Sequence, residues 1–462
     1  MGSKITKIGV TNDKIFARGG LPLILRYIER IGLYALISST LISFFGGNKK
    51  GLQPLQFLKQ VFAFMIDGSN MSISYFDKLK QDQAYAALLE NKQGEMASSH
   101  QIKRFFATKM RFIGNKIFTR ILNELFIWRL CIEKPRIIIL GIDTMVMDND
   151  GAKKREGSEV TYKKKKGFQP LHICWGPFLV DVLFRKGSAH SNHGTDYTDR
   201  VSALVNLIRK RYSKQVPIIL LADSGFADQK AYDIFEQGLG IHYIVTGKMY
   251  EEVRGYVQSI PLECYSRYTN GKVEWAFLEF ANKLKSWTKF RRCIFTKQNS
   301  DAQGQYVIGF DKPDNIIYTN IGTCPVADQR LKDAGGEKYF GALEIMKMSH
   351  ARGADELIHR SLKELATKEQ LPFKRFGMNR AYYYLLVTTH FILETYKRDI
   401  TADVIPITAY PNTFRRNLVD FAVKITSRSR NVVLNVTKTI HETFNIEELW
   451  KRCQSPPVIQ FQ

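Results

Sequence analysis

Two aliphatic runs in this sequence each end on an aspartate. "RIIILGID" covers residues 136–143 and closes on Asp143, and "IILLAD" covers residues 218–223 and closes on Asp223. Short, continuous aliphatic runs of this kind read as strands buried on both faces. An ionised carboxylate at the end of a core strand is costly unless a hydrogen-bonded cap, a basic side chain or a metal ion compensates it. A lone strand-end Asp is most simply a turn or helix-cap residue. Two of them, carried by two strands of one sheet, place a pair of carboxylates at one edge, where open α/β sheets hold their ligands. Carboxylates about 4 Å apart repel by roughly 4 kcal/mol at an effective dielectric near 20, so one takes up a proton or a cation sits between them.

The text around these runs defines an α/β chain with a mixed sheet. Residues 131–250 alternate strand and helix patterns: "FQPLHICWGPFLVDVLFRKG" supplies two more strands, "DYTDRVSALVNLIRKRY" an amphipathic helix, and "IHYIVTGK" a further strand. Residues 1–130 read as a helical head, in which "IGLYALISSTLISFF" is a core helix too short to span a bilayer. Residues 251–338 read as a β-rich insertion with a hairpin around Asn270-Gly271. Long helices return over 339–402, and 403–462 form a basic tail for DNA contact or dimerisation. The N-terminus carries no secretory pattern.

Charge narrows the partner. The 462 residues hold 68 Lys plus Arg against 44 Asp plus Glu, a net charge of +24. Such an excess repels itself in a compact state, and a polyanion such as nucleic acid is the usual reason to keep it. The cations are spread along the chain. Lys103 and Arg104 sit on a short helix behind a Ser cap, Lys163, Lys164, Lys165 and Lys166 form one run, and Arg415, Arg416, Arg428 and Arg430 lie in the tail. Each is a candidate DNA contact, and each run taken alone also fits a solvated face. The six Cys show no CxxC spacing and the nine His do not cluster with them, which argues against a zinc site.

The third acidic element is "SHARGADELIHRSLKELA". On one continuous helix Arg352, Glu356, His359 and Lys363 fall within an arc of about 60°. A salt-bridged surface helix would look the same. With the Asp pair in view, Glu356 becomes a third candidate metal ligand, and Arg352, His359 and Lys363 become candidate phosphate contacts. Oxygen ligands facing a polyanion favour Mg²⁺ or Mn²⁺.

Asp143, Asp223 and Glu356 resemble the DDE triad of RNase H-like transposases. Arg352, Glu356 and Lys363 match the Y-(2)-R-(3)-E-(6)-K spacing of the IS4-like superfamily, with Ser349 in the Tyr position. "ADSGF" and the lysine-rich "YKKKKGFQPL" look closest to the IS1380 group. The resemblance implies an RNase H-like mixed-sheet core interrupted by the β-rich insertion domain, with an N-terminal helical DNA-binding domain. It implies cut-and-paste transposition with two Mg²⁺ (or Mn²⁺) ions per active site. The partners would be double-stranded DNA at the terminal inverted repeats and the target, bound by a homodimer in a synaptic complex. The location would be cytoplasmic and nucleoid-associated, with no membrane. In relatives that cut through a DNA hairpin, aromatic residues stabilise a flipped base; Trp275 and Trp287 are the candidates here, and the departure at Ser349 leaves that route open. An RNase H-like nuclease without strand transfer, and a non-catalytic DNA-binding protein derived from a transposase, are the alternatives.

Overall fold

In the structure the two aliphatic runs lie side by side at the centre of a nine-stranded sheet. It is a computed structural model and describes the chain apart from residues 1–7, 11, 46–50, 71, 152–153, 192–193, 286, 301–304, 306–313, 367–369, 429–430 and 461–462; for 353–355, 427–428 and 431 it describes the backbone alone. In chain order the sheet strands are β1 (Ile138–Thr144), β2 (Leu171–Trp175), β3 (Phe178–Leu183), β4 (Ile218–Ala222), β5 (His242–Gly247), β6 (Ser266–Asn270), β7 (Val273–Asn282), β8 (Arg291–Gln298) and β9 (Asn315–Thr319). Their spatial order is β6-β7-β8-β9-β5-β4-β1-β2-β3.

The three aliphatic strands β1, β4 and β5 run parallel. Parallel neighbours need crossover segments, and helices covering both faces force both faces of the strand to be apolar. The Asp196–Arg211 helix lies between β3 and β4 in the chain, and buries Tyr197, Val201, Leu204, Val205 and Ile208. All other pairings are antiparallel. One core cluster joins Ile219 of β4 and Ile244 of β5 to Ile294, Ile317, Leu331, Ile345 and Met346. That cluster already mixes residues from three of the segments drawn from the sequence.

The β-rich stretch expected as an insertion over 251–338 prolongs the sheet. Strand β9 pairs with β5 through Ile316↔Gly247 to Thr319↔Ile244, and β8, β7 and β6 follow in antiparallel succession. The expected hairpin is there, with Asn270 paired to Val273 across a turn of Gly271 and Lys272. A second, three-stranded sheet joins Met147–Asp148, Lys166–Phe168 and Glu159–Val160. Its outer hairpin closes tightly: Thr161 N donates to Lys165 O at 2.9 Å and Lys164 N to Thr161 O at 2.9 Å.

Two compact units make up the chain. Unit 1 holds Met1–Ile117, Ser361–Lys368 and Thr388–Gln462, and unit 2 holds Phe118–Arg360 and Glu369–Val387. These limits do not follow the five consecutive segments, because the tail packs with the helical head. In unit 1 the Leu21–Arg30 helix packs along Ile446–Gln454, and Tyr27 donates to Asp399 Oδ2 at 2.7 Å. The apolar stretch of the head forms the Leu33–Phe45 helix, which buries Leu33, Leu36, Ile37 and Leu41. Among the described residues no single helix is long and apolar enough to cross a membrane.

Candidate active site

Strand register brings the two aspartates together. β1 and β4 pair in parallel from Ile138↔Ile218 to Ile142↔Ala222, so Asp143 and Asp223 are the next residues on neighbouring strands, at their carboxyl ends. Each carboxylate is first held by local backbone. Thr144 N donates to Asp143 Oδ1 at 2.7 Å, and Gly225 N donates to Asp223 Oδ1 at 2.8 Å, capping the short turn Ser224–Phe226. Asp223 is therefore a cap and an edge carboxylate at once. A Cβ at Gly225 would sit 2.8 Å from Ser191 Oγ and 3.0 Å from Asp223 Oδ1, so a larger residue there would displace one of these side chains.

Both acids resist ionisation. Burial pushes Asp143 above the usual carboxylate range; Arg352 and the Thr144 amide pull it back, while Glu356 pushes it further. Burial likewise raises Asp223, the neighbouring Asp143 raises it again, and Arg352 opposes both. Desolvation and like charge act together, as expected of a site built to receive positive charge.

Arg352 reaches this edge by a route the sequence pattern does not show. The expected continuous helix is broken: Ala342–His350 ends, Ala351 and Arg352 form a turn, and Gly353–Leu365 begins. Arg352 is thus not on the Glu356 helix face. From the turn its Nη2 lies 3.4 Å from Ile142 O, beside the β1 end. Glu356 is exposed on the second helix, near enough to act on Asp143 electrostatically. Among the described residues no three His, Cys, Asp or Glu side chains converge as a metal-holding group. The acids share one face without closing into a finished triad.

The remaining face comes from two places. Lys163 at the tip of the small hairpin lowers the Asp143 pKa. Tyr162 beside it is exposed, and its hydroxyl is raised by burial and then by Asp143, Asp223 and Glu356 together. On the other side His359 Nδ1 lies 3.9 Å from Asp143 Oδ2. His359 Nε2 is 3.2 Å from His172 Nδ1, and His172 Nε2 is 2.8 Å from the Tyr383 hydroxyl. Tyr162, His172 and Tyr383 were missed in the sequence. Only the Asp143↔His172 strand pairing exposes the last two, and no local motif announces it.

The model of the family "Transposase DDE domain group 1" matches residues 6–456. The chain belongs to that family. It is a transposase of the DDE type, a protein of DNA recombination. No curated protein matches it. Among solved structures, a piggyBac transposase in a synaptic complex with hairpin DNA matches at 14% identity over 96% of this chain and 83% of that chain, with a TM-score of 0.38.

The other residues expected to serve this transposase are placed as follows. Lys163, Lys164, Lys165 and Lys166 are exposed on the hairpin, with Lys165 paired to Asp148 at 3.0 Å. Lys103, Arg104 and Arg416 are exposed in unit 1. Lys363 is half-buried in the last turn of its helix and is counted with unit 1. Ser349 Oγ lies 3.4 Å from Thr246 Oγ1. For Arg428 only the strand backbone is described, and Arg430 lies outside the described residues.

Four expected DNA contacts have protein partners in the structure. Arg415 is 5% exposed and turned inward. Its guanidinium donates to Met65 O at 2.6 Å, Ile66 O at 2.8 Å, and Glu364 O and Leu365 O at 3.0 Å, which are carbonyls at two helix ends left without intrahelical donors. Burial lowers its pKa to about 10. Trp287 is 7% exposed and packs edge-on against Tyr318 at 4.7 Å and Tyr232 at 6.0 Å, so no base can stack on it there. Trp275 is half-buried and lies 4.4 Å from the His350 ring. His359, expected to touch DNA, has a side chain only 12% exposed and faces Asp143 instead.

A divalent ion fits the donor set. Asp143 and Asp223 are adjacent hard oxygen donors whose ionisation burial opposes, Asp143 further opposing that of Asp223, and Glu356 is a third carboxylate near enough to act on Asp143.

Proposed function

We propose that this transposase cuts and pastes a DNA element, with Asp143, Asp223 and Glu356 as its metal-holding acids and double-stranded DNA as substrate. The observation that carries the reading is the register of β1 and β4, which puts two burial-strained carboxylates side by side at the carboxyl edge of the sheet. The strand order β3-β2-β1-β4-β5, antiparallel then parallel, supports an RNase H-like core. The "ADSGF" text and lysine run support placement near the IS1380 group.

Divalent Mg²⁺ or Mn²⁺, two ions when bound, would supply Lewis acidity and an activated water or DNA 3′-hydroxyl. The chain's own residues do the rest. Asp143 and Asp223 hold position through the Thr144 and Gly225 amides. Glu356, exposed on the Gly353–Leu365 helix, would be the third acid of the set. Arg352 neutralises phosphate charge beside the cut bond. The exposed hairpin with Tyr162 and Lys163 presents an aromatic face and cations to the strand, a placement suited to backbone tracking and base stacking. Lys363, Lys103, Arg104 and Arg416, all in unit 1, would be further phosphate contacts, and a homodimer would pair two element ends.

The test is Asp223→Ala in the full chain with Mg²⁺ and DNA carrying an element end. Cleavage should fall by on the order of 10³-fold or more while end binding stays within a few fold. Normal cleavage would overturn the site. Cleavage by the unaltered chain without joining to target DNA would remove the pasting step from the proposed activity.

A further inference from the structure

Asp143 is the acid both halves of the site depend on, and its outer oxygen faces a chain of buried side chains that the proposed chemistry does not use. His172 and Tyr383 are each 0% exposed. The Tyr383 hydroxyl lies 2.8 Å from His172 Nε2, His172 Nδ1 lies 3.2 Å from His359 Nε2, and His359 Nδ1 lies 3.9 Å from Asp143 Oδ2. All four residues belong to unit 2. They come from four elements: β1 and its antiparallel neighbour β2, where Asp143 stands opposite His172; the Gly353–Leu365 helix; and the Phe376–Asp399 helix.

We propose that His359 is a positioning residue for the Asp143 carboxylate, held in one tautomer by His172 and Tyr383. The proposal rests on the reading of Asp143 as a metal-holding acid.

The two ends of the chain choose the same polarity. A neutral imidazole donates from one nitrogen and accepts at the other, so the role of one nitrogen dictates the other. If Tyr383 donates to His172 Nε2, then His172 Nδ1–H donates to His359 Nε2, and the His359 proton must sit on Nδ1, facing Asp143. The reverse polarity would aim a lone pair at a carboxylate, which is repulsive. Burial holds the Tyr383 hydroxyl well above its ordinary pKa, so it keeps its proton to donate. Packing fixes the phenol: its ring stacks near-parallel to His172 at 6.0 Å and packs on Phe184 at 5.0 Å.

The effect on Asp143 is directional. Its Oδ1 accepts from Thr144 N at 2.7 Å, and a positive N–H dipole faces Oδ2. One oxygen is held by a backbone hydrogen bond, and the other faces the relay's N–H at 3.9 Å, close enough for the dipole to favour one orientation of the carboxylate. Groups that orient ligand side chains in this way govern metal affinity without touching the metal. The relay also explains why a histidine in the spacing pattern of a DNA-facing helix is turned away from solvent.

The experiment compares Tyr383→Phe, His359→Leu and His359→Asn in the full chain. Tyr383→Phe removes one oxygen far from the edge and conserves volume. His359→Asn keeps a donor at the Nδ1 position. Two readouts are taken: the Mn²⁺ dependence of the melting temperature without DNA, and cleavage of end-bearing DNA with kcat and KM separated. Tyr383→Phe and His359→Leu should each weaken Mn²⁺ affinity and lower kcat by about 10- to 100-fold with KM unchanged, and His359→Asn should recover most of both. The proposal is overturned if Tyr383→Phe and His359→Leu keep unaltered Mn²⁺ affinity, or if His359→Leu raises KM alone, which would make His359 a DNA contact. Asp143→Ala is the separate control: if it leaves Mn²⁺ binding intact, the metal-site reading fails, whatever the relay variants do.

Discussion

The Arg415 knot in unit 1 and the Asp143–Asp223 edge in unit 2 both hold charge away from water, and they resolve it in opposite ways. Arg415 spends its donors on four helix-end carbonyls and on Asn412 Oδ1, and Asp67 and Asp420 offset its charge. Gly68 makes room for it, since its left-handed φ of 62° ends the Pro54–Asp67 helix and a Cβ there would meet the guanidinium. The acid edge is not matched in this way. Asp143 and Asp223 each have one backbone donor, burial opposes the ionisation of both, Glu356 adds to this at Asp143 and Asp143 at Asp223, and Arg352 is the leading counter-charge for both. A buried charge whose partners are complete stabilises the fold. A buried charge whose partners fall short is a candidate place for something else to bind.

That contrast can be broken first on its matched side. Arg415→Met leaves the carbonyls of Met65, Ile66, Glu364 and Leu365 without their donor and should cost about 3 kcal/mol in urea unfolding. A loss under about 1 kcal/mol would mean that water replaces the guanidinium freely. The unmatched side should respond with the opposite sign. Asp143→Asn in chelator at pH 8 should stabilise the chain by about 1 kcal/mol, because it removes a desolvated charge. The folded pKa of Asp143 is raised, so the carboxylate carries no penalty below its unfolded value and gains one as pH rises through the folded value. The gain should therefore be present at pH 8 and gone at pH 3; stabilisation at both would trace it to packing instead. The exposed hairpin should respond least. Lys163→Ala with Lys164→Ala should reduce the slope of log K against log salt for DNA binding by about 2 and leave the melting temperature unchanged. An unaltered slope would put the DNA elsewhere.

Legibility in the sequence followed the range of the interaction. The strands of Asp143 and Asp223 were readable because a strand buried on both faces must be aliphatic along its whole length, and that pattern is local. The Asn270-Gly271 hairpin was readable for the same reason. The helix over Arg352 to Lys363 was readable only in part. Its 3.6-residue period runs through residues 351–352, yet the backbone turns there, and Arg352 meets the acids from the turn and not from the helix face. Trp287 and Arg415 were misplaced because an aromatic or a cation has the same sequence appearance on a surface and in a core. Only the partners, Tyr318 and Tyr232 for one and the carbonyls of distant helix ends for the other, tell them apart.

By itself the sequence determined the family-bearing text, the two strand-end acids, and a cation excess of the kind that a polyanionic partner usually accounts for. Those are properties of short windows and of sums. Tertiary structure alone decided that β1 and β4 are neighbours in register, that the β-rich stretch extends their sheet, that the tail belongs with the head, and that His172 and Tyr383 stand behind His359. Each of these depends on pairings between residues far apart in the chain, and hydrogen bonding and burial settle such pairings only once the whole sheet has formed.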